Sequence, residues 1–474
     1  MRRRRVFWTY GGIKIMYDTV DTIAAIATPI GESGIGIIRI SGRDAYAVGD
    51  KIFQSKSNLP LAKRRDHSIQ YGHIIDENGY SIDEVLVLLM KGPKSYTAED
   101  VMEIQCHGGH QSLEEILALI LRQGARLANP GEFTERAFIN GRIDLAQAEA
   151  VMDIIQAKSK AGLTNAVSQL EGKLSELVKK MRIHLTELIT RLEVMVDYPE
   201  EDLEDITVPD VAEALQNIQK KLQILLEESR SGKMIRDGVM IAITGTPNAG
   251  KSSLLNQLVQ EDRAIVTEIP GTTRDSIEVW ITLKGVPICL IDTAGIRETA
   301  DTVEQIGVSR AKKYLNTADM VIVMVDGSRS LTADDVGILE ASRYQNAIIV
   351  MNKEDLPVHV NKKVLSEYGH PMITISAVNG SGIQDLQNKI IDLVLDKGII
   401  EGKSALLTNT RHIDLVRRSG EAINRALDTI QNNMPVDCAI VDIREAWELL
   451  GSITGDTIHD DIVSEIFSRF CLGK

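Results

Sequence analysis

A chain of 474 residues with 43% hydrophobic content is long enough for about three domains, each with its own core. Its longest apolar runs are far too short to cross a bilayer, which excludes an integral helical membrane protein. A formal net charge of −14 argues against a broadly basic nucleic-acid surface, so any RNA contact must be local or shared with a partner.

The four cysteines, Cys106, Cys289, Cys438 and Cys471, are widely spaced and show no paired pattern, the usage expected in a reducing cytoplasm. Met1 to Tyr17 opens with Arg2 to Arg5 but lacks the uninterrupted apolar run of a secretory signal. It is basic and free of acids, as a mitochondrial presequence is, yet it is short and has no serine. The expectation is an extension ahead of a natural start at Met16.

From Thr22 to about Asn129, short β-like runs (Ile23 to Ala27, Gly36 to Ile40, Glu84 to Met90, Val101 to Gln105) mix with helical stretches, predicting an α+β domain. The glycines of GESGIG, residues 31–36, do not have the GxGxxG spacing and read as a turn rather than a dinucleotide loop. Cys106, His107 and His110 carry zinc-ligand chemistry. Without a fourth ligand, and with two glycines between the histidines, they read as a strand end turning.

Gly131 to Tyr198 has no proline and carries Leu170, Leu174, Leu177, Met181, Leu185, Leu188 and Leu192 at helical spacing, which predicts long helices packed through a core stripe. An acidic break around Pro199, Asp197 to Asp205, precedes a helix over Val211 to Ser229. The acids read as a solvated turn, with a functional groove of paired carboxylates as the alternative.

Gly245 to Ser253, GTPNAGKSS, fits the phosphate-binding pattern GxxxxGK[ST] without a mismatch. It follows an apolar run, Val239 to Thr244, that reads as a buried strand, and Ser253 to Val259 reads as the first turns of a helix. Gly245 and Gly250 permit a tight turn that brings backbone N–H groups against phosphate oxygens at the positive end of the helix. Asn248, Ala249, Gly250, Lys251, Ser252 and Ser253 are the residues expected at the nucleotide. Lys251 reaches the β and γ phosphates as a catalytic cation, and the Ser252 hydroxyl ligates Mg²⁺.

Further motifs follow in order. Cys289 to Gly295, CLIDTAG, is an apolar strand ending in an acid: Asp292 suits an indirect hold on Mg²⁺, and Gly295, after Thr293 and Ala294, suits an N–H on the γ-phosphate. Asn352 to Asp355, NKED, follows the apolar strand Ala347 to Met351. The Asp355 carboxylate accepts two hydrogen bonds from a guanine edge that adenine does not offer, a discrimination of up to about ten-thousandfold. Ile373 to Ala377, ITISA, predicts a strand whose end brings Ser376 and the Ala377 N–H to the guanine carbonyl. This set, with Lys353 inside NKED, resembles the guanine-nucleotide-binding proteins, so GTP is the expected nucleotide. Ile296 stands where Ras-like members have a water-orienting glutamine, and hydrolysis therefore needs another group.

Asn409 to Lys474 is helical in pattern and too small to be a domain alone; its apolar faces need residues 145–230 as a partner, which makes the GTPase an insert in a helical domain.

The phosphate loop with Asn248, GTTRD at Gly271 to Asp275 and DTVEQIG at Asp301 to Gly307 resemble the family of tRNA-modification GTPases known as MnmE or TrmE. The resemblance extends to Arg39 in GIGIIRISG, Glu103 in YTAEDVMEIQCHGG, Pro130 to Ala150, DYPEED at Asp197 to Asp202 and the terminal CLGK, covering about Thr22 to Lys474. It implies a multidomain α/β plus α fold. The expected parts are an extension at 1–17, an N-terminal α+β dimerisation and folate-binding domain at 18–135, a helical domain at 136–237 and 397–474, and a Ras-like doubly wound GTPase domain at 238–396.

It also implies an activity. The GTPase forms a homodimer and, with a flavin-dependent partner, MnmG, a heterotetramer that adds a carboxymethylaminomethyl group to carbon 5 of wobble uridine in tRNA, in the cytoplasm and away from membranes. FAD and NADH belong to the partner. By this resemblance Thr273 joins Ser252 on Mg²⁺, while Asn248 and the carbonyls of Thr267, Ile269 and Thr272 ligate K⁺ when two GTPase domains meet. Glu268, Pro270 and Gly271 complete the nucleotide-facing segment, and Glu304 orients the attacking water. Arg39, Glu103, Arg142 and Lys474 contact 5-formyl-tetrahydrofolate or a related one-carbon folate, with the Cys471 thiol nearby as a catalytic participant; Leu472 replaces the usual isoleucine. The rival readings are a ribosome-assembly GTPase acting as an RNA-binding switch, and a GTP-gated scaffold whose folate-type residues are structural.

Overall fold

The computed structural model describes residues 21–57, 59–197, 208–261, 277–292, 318–395, 406–432, 434–458, 460–471 and 473. Contacts divide the chain into two compact units: Met1–Met152 with Gln169–Asp205 and Asp428–Lys474, and Asp153–Ser168 with Ile206–Leu427.

The first unit is built on a seven-stranded sheet of β1 (Ile23–Ile26), β2 (Ser33–Ser41), β3 (Phe53–Gln54), β4 (Ser68–Ile75), β5 (Ser81–Met90), β6 (Val101–Gly108) and β7 (Arg126–Leu127). The order is β3-β4-β5-β6-β2-β1-β7, antiparallel throughout except for the β1–β7 pair. Alternation decides what each face holds. Ile38, Ile40, Val85, Val87, Leu89, Met102 and Ile104 are buried on one face, where Val48 and Ile52 of the helix Ala45–Ile52 and Leu113, Ile116 and Ile120 of the helix His110–Arg122 complete the core. Arg39 and Glu103 therefore fall on the opposite face, directly across from each other.

The proline-free stretch predicted as long helices is broken into Glu132–Ile139, Leu145–Gln156, Lys160–Leu170 and Lys173–Asp197, of which the last, with 25 residues, is long. Local chemistry sets the breaks. Gly172 takes φ 86°, a left-handed turn no helix continues through, and the Ser159 hydroxyl accepts the Gly162 N–H at 3.0 Å as a helix cap. Leu174, Val178, Met181, Leu185, Leu188 and Leu192 form the buried stripe of Lys173–Asp197, which packs on the helix Val436–Thr454. The Trp447 indole N–H donates to Thr186 Oγ1 at 2.9 Å across this pair.

The second unit carries a six-stranded sheet of β8 (Val239–Gly245), β9 (Ile277–Leu283), β10 (Val286–Asp292), β11 (Met320–Asp326), β12 (Ala347–Asn352) and β13 (Met372–Thr374), ordered β13-β12-β11-β8-β10-β9. Every pair is parallel except the β9–β10 hairpin. All residues of β11 and β12 are buried, because helices cover both faces, and all but the closing Asp326 and Asn352 are apolar. Leu254, Leu258, Ile383, Leu386 and Ile390 pack on one face and Leu339 and Leu365 on the other, so the sheet is doubly wound. The strand predicted over Ile373 to Ala377 stops at Thr374. Beyond it the Ser376 N–H turns to the Ser381 carbonyl at 3.0 Å, which draws the chain away from the sheet. Among the described residues no helix is long and apolar enough to cross a membrane.

Candidate functional site

The strand order reverses at β8, which lies between β10 and β11, and ligands of doubly wound sheets bind outside the carboxyl ends of the strands at such a point. Register brings the relevant ends together: Met324 pairs with Gly245, Asp292 with Ile243, and Asp326 with Asn352. The phosphate-loop residues thus leave β8 at the switch point, Asp292 closes β10 beside it, and NKED leaves β12 on the other side.

The loop is shaped by sterics. Gly250 takes φ 99°, and a Cβ there would lie 2.1 Å from Asn352 Nδ2; one on Gly245 would lie 2.5 Å from the Met324 carbonyl oxygen. Asn248 is left-handed at φ 64°. The helix Lys251–Glu261 begins directly after Gly250, earlier than predicted, and turns its positive end to the loop. Lys251 Nζ donates to the Gly245 and Thr246 carbonyls at 2.7 and 2.9 Å, which holds the ammonium over the loop. A glycine-lined turn, a helix start with Ser252 and Ser253 in its first turn, and a lysine anchored above it fit a nucleotide triphosphate with its Mg²⁺.

Asn352 joins the loops. Its Nδ2 donates to the Ala249 carbonyl at 2.8 Å, and its Oδ1 accepts the Ala377 N–H at 2.9 Å. Ser376 Oγ donates to Asp355 Oδ1 at 2.5 Å and orients that carboxylate. Lys353, left-handed at φ 69°, donates to Asp326 Oδ2 at 2.6 Å. Burial alone would raise the Asp326 carboxyl, but Lys353 and Ser328 outweigh it and hold it below the usual range. Thr246, Arg329 and Asp335 form a further polar cluster behind the loop that sequence reasoning missed. Its one local signal is Thr332 three residues ahead of Asp335, a capping-box spacing.

Thr267, Glu268, Ile269, Pro270, Gly271, Thr272, Thr273, Thr293, Ala294, Gly295, Glu304 and Lys474 lie outside the described residues, as does most of DYPEED.

A second constellation lies in the first unit. Arg39 Nε donates to Glu103 Oε1 at 2.8 Å across the β2–β6 pair. The Arg39 guanidinium lies 5.0 Å from the Tyr96 ring centre and that of Arg142 lies 4.8 Å from it, so one tyrosine carries both cations. Arg39 Nη1 also donates to the Gly473 carbonyl at 3.3 Å, and the Gly131 N–H meets the Cys471 carbonyl at 3.4 Å. Gly473 therefore lies against Arg39. Tyr96 and Phe133, which is 5.6 Å from the Arg39 guanidinium, were not legible in the sequence. Beneath them Arg136, 2% exposed, is paired with Asp21, Glu99 and Glu132. A carboxylate beside two stacked guanidinium groups can receive a planar ring with an amide edge and an anionic tail. His107 Nδ1 instead meets Asp83 Oδ1 at 2.6 Å, beside buried Cys106.

A phosphate loop at the switch point of a doubly wound sheet, clamped to an NKED loop with an oriented aspartate, defines a guanine-nucleotide-binding P-loop protein. Residues 22–142 match the family model described as GTP-binding protein TrmE N-terminus and residues 145–471 the MnmE helical domain. Proteins named tRNA modification GTPase MnmE are similar throughout: that of Alkaliphilus metalliredigens is 48% identical over 96% of this chain and 99% of its own, and that of Bacillus subtilis 45% identical over 96% and 100%. The chain belongs to the MnmE, or TrmE, family of tRNA modification GTPases, and it is a GTP-hydrolysing enzyme that binds GTP with Mg²⁺.

Proposed function

We propose that this enzyme works with a flavin-dependent MnmG-type partner to add a carboxymethylaminomethyl group to carbon 5 of wobble uridine in certain tRNAs. Support comes from one conjunction: a chain with a guanine-nucleotide site in one unit gathers Arg39, Glu103, Arg142 and Gly473 around Tyr96 in the other. Glu103 takes the amide-like edge of a one-carbon folate, Arg39 and Arg142 take its glutamate tail, and Lys474 and the Cys471 thiol close the site. FAD and NADH belong to the partner. The assembly is a homodimer that joins the partner as a heterotetramer in the cytoplasm.

In hydrolysis, Lys251 binds the β and γ phosphates, Gly295 offers its N–H to the γ-phosphate, and Asp355 and Ala377 bind guanine. Ser252 and Thr273 hold Mg²⁺, with Asp292 behind them; Asn248 and the carbonyls of Thr267, Ile269 and Thr272 hold K⁺. When bound, the two cations offset the charge that develops on the transferring phosphoryl group. Glu304 orients the attacking water, which Ile296 has no polar atom to do.

The test is mass spectrometry of tRNA nucleosides from cells lacking the gene, complemented with wild type or Arg39→Ala. The expected result is loss of the 5-carboxymethylaminomethyl uridines, restored by wild type and not by Arg39→Ala. Nucleosides unchanged by the deletion overturn the proposal and favour the ribosomal reading.

A further inference from the structure

We propose that Asp335 and Arg329 are positioning residues for nucleotide binding, acting through the hydroxyl of Thr246 on the phosphate loop. Asp335 is the third residue of the helix Ala333–Ser342 and closes a capping box with Thr332. A cap requires only that reciprocal pair. Here the carboxylate, 1% exposed, receives four further donations: Thr332 Oγ1 and Arg329 Nη1 to Oδ2, both at 2.7 Å, Thr246 Oγ1 to Oδ1 at 2.8 Å and Arg329 Nη2 to Oδ1 at 3.3 Å. Arg329 Nη2 also donates to Thr246 Oγ1 at 2.9 Å, closing a ring of three side chains.

The ring bears on the loop that faces the phosphates. The Thr246 carbonyl is one of the two that hold Lys251 Nζ, so the peptide plane fixed by the Thr246 side chain also sets the position of the ammonium. Between Gly245 and Gly250 the loop contains left-handed Asn248, a backbone state that persists only where its surroundings hold it. It is held at two points. Asn352 holds the far end at the Ala249 carbonyl, and the Asp335–Arg329 pair holds the near end at Thr246. Asp326, the last residue of β11, accepts from Lys353 of NKED, so residues 326–335 tie the phosphate side of the site to the guanine side. Anchoring that precedes nucleotide binding lowers the ordering that binding must impose.

The test uses the full-length protein and three variants, Thr246→Val, Thr246→Ser and Arg329→Gln. Release of a fluorescent GDP analogue is followed by stopped flow, with steady-state GTP hydrolysis and thermal melting alongside. Thr246→Val keeps the shape of the side chain and leaves Asp335 paired with Arg329 and Thr332, so melting is expected within about 3 °C of wild type. GDP release from Thr246→Val and Arg329→Gln is expected to be about tenfold faster, the factor carried by one charge-assisted hydrogen bond, with KM for GTP raised similarly and kcat within about twofold. Thr246→Ser restores the wild-type rate. Wild-type release from Thr246→Val or from Arg329→Gln, or release from Thr246→Ser as fast as from Thr246→Val, overturns the proposal and leaves Asp335 a helix cap alone.

Discussion

At the scale of single residues, the base specificity rests on the chemistry of one oxygen pair. Asp355 is an acceptor on both oxygens, and the Ser376 hydroxyl at 2.5 Å fixes which way they face. Replacing it by asparagine turns one acceptor into a donor, which opposes the N–H groups of guanine and matches a ring bearing a carbonyl at the same position, as xanthine does. Asp355→Asn is therefore expected to raise KM for GTP by about a hundredfold or more and to hydrolyse xanthosine triphosphate in its place, measured by phosphate release with each nucleotide. Equal activity on both nucleotides would contradict the assignment. Asp355 was legible in the sequence because NKED is contiguous and each of its residue types has a definite task. The Thr246, Arg329 and Asp335 ring was not, since its members are 83 and 89 residues apart and each is an ordinary polar residue alone. Tyr96 was hidden for the same reason: a loop tyrosine becomes a platform only once Arg39 and Arg142 arrive from elsewhere.

At the scale of elements, parallel strands were the clearest part of the sequence, because a strand covered on both faces has to be an unbroken apolar run. The run read over Val239 to Thr244 became β8 with one more residue, and the run over Ala347 to Met351 became β12 likewise. Helix limits were less clear, since the breaks in Gly131 to Tyr198 depend on a backbone state at Gly172 and a cap at Ser159 that periodicity does not encode. The burial of β8 makes its contribution measurable. Ile241 is fully buried at the centre of the sheet and faces the helix-covered core, so Ile241→Ala loses transfer free energy and leaves a cavity. The expected cost is about 3 kcal/mol, read as a shift in the urea midpoint at unchanged slope. A shift several times smaller would mean that the phosphate loop hangs from a strand that repacks easily.

At the scale of the whole molecule, the docking of Gly473 at Arg39, 434 residues away in the chain, has no local signature; only the likeness of CLGK to a family ending drew attention to it. Acid response is a property of the whole chain that the side-chain chemistry does determine. Asp21 and Glu132 in the first unit, and Asp326 and Asp335 in the second, are each pushed up by burial, and in each the hydrogen bonds and charge of arginine or lysine partners outweigh burial. All four lie below their ordinary values, Asp335 at about 2. A carboxyl with a depressed pKa in the folded state stabilises the fold fully above its unfolded pKa, and that contribution is lost as pH falls through the folded value. Half-buried Glu135 has the opposite sign, because burial and the neighbouring Glu132 raise it, so its protonation partly offsets the loss. Asp66, Asp76 and Asp83 are lowered as well by backbone and side-chain hydrogen bonds, so among the described residues the lowered carboxyls outnumber the raised one, and stability is expected to hold above about pH 5 and to fall steadily between about pH 4 and pH 2, followed by urea unfolding at each pH. Arg136→Met removes one of the two cations that Asp21 and Glu132 share, the other being Arg126, and is expected to flatten the acid slope of the first unit while lowering its stability at neutral pH. An unchanged slope in that variant would place the acid sensitivity in carboxyls that Arg136 does not hold.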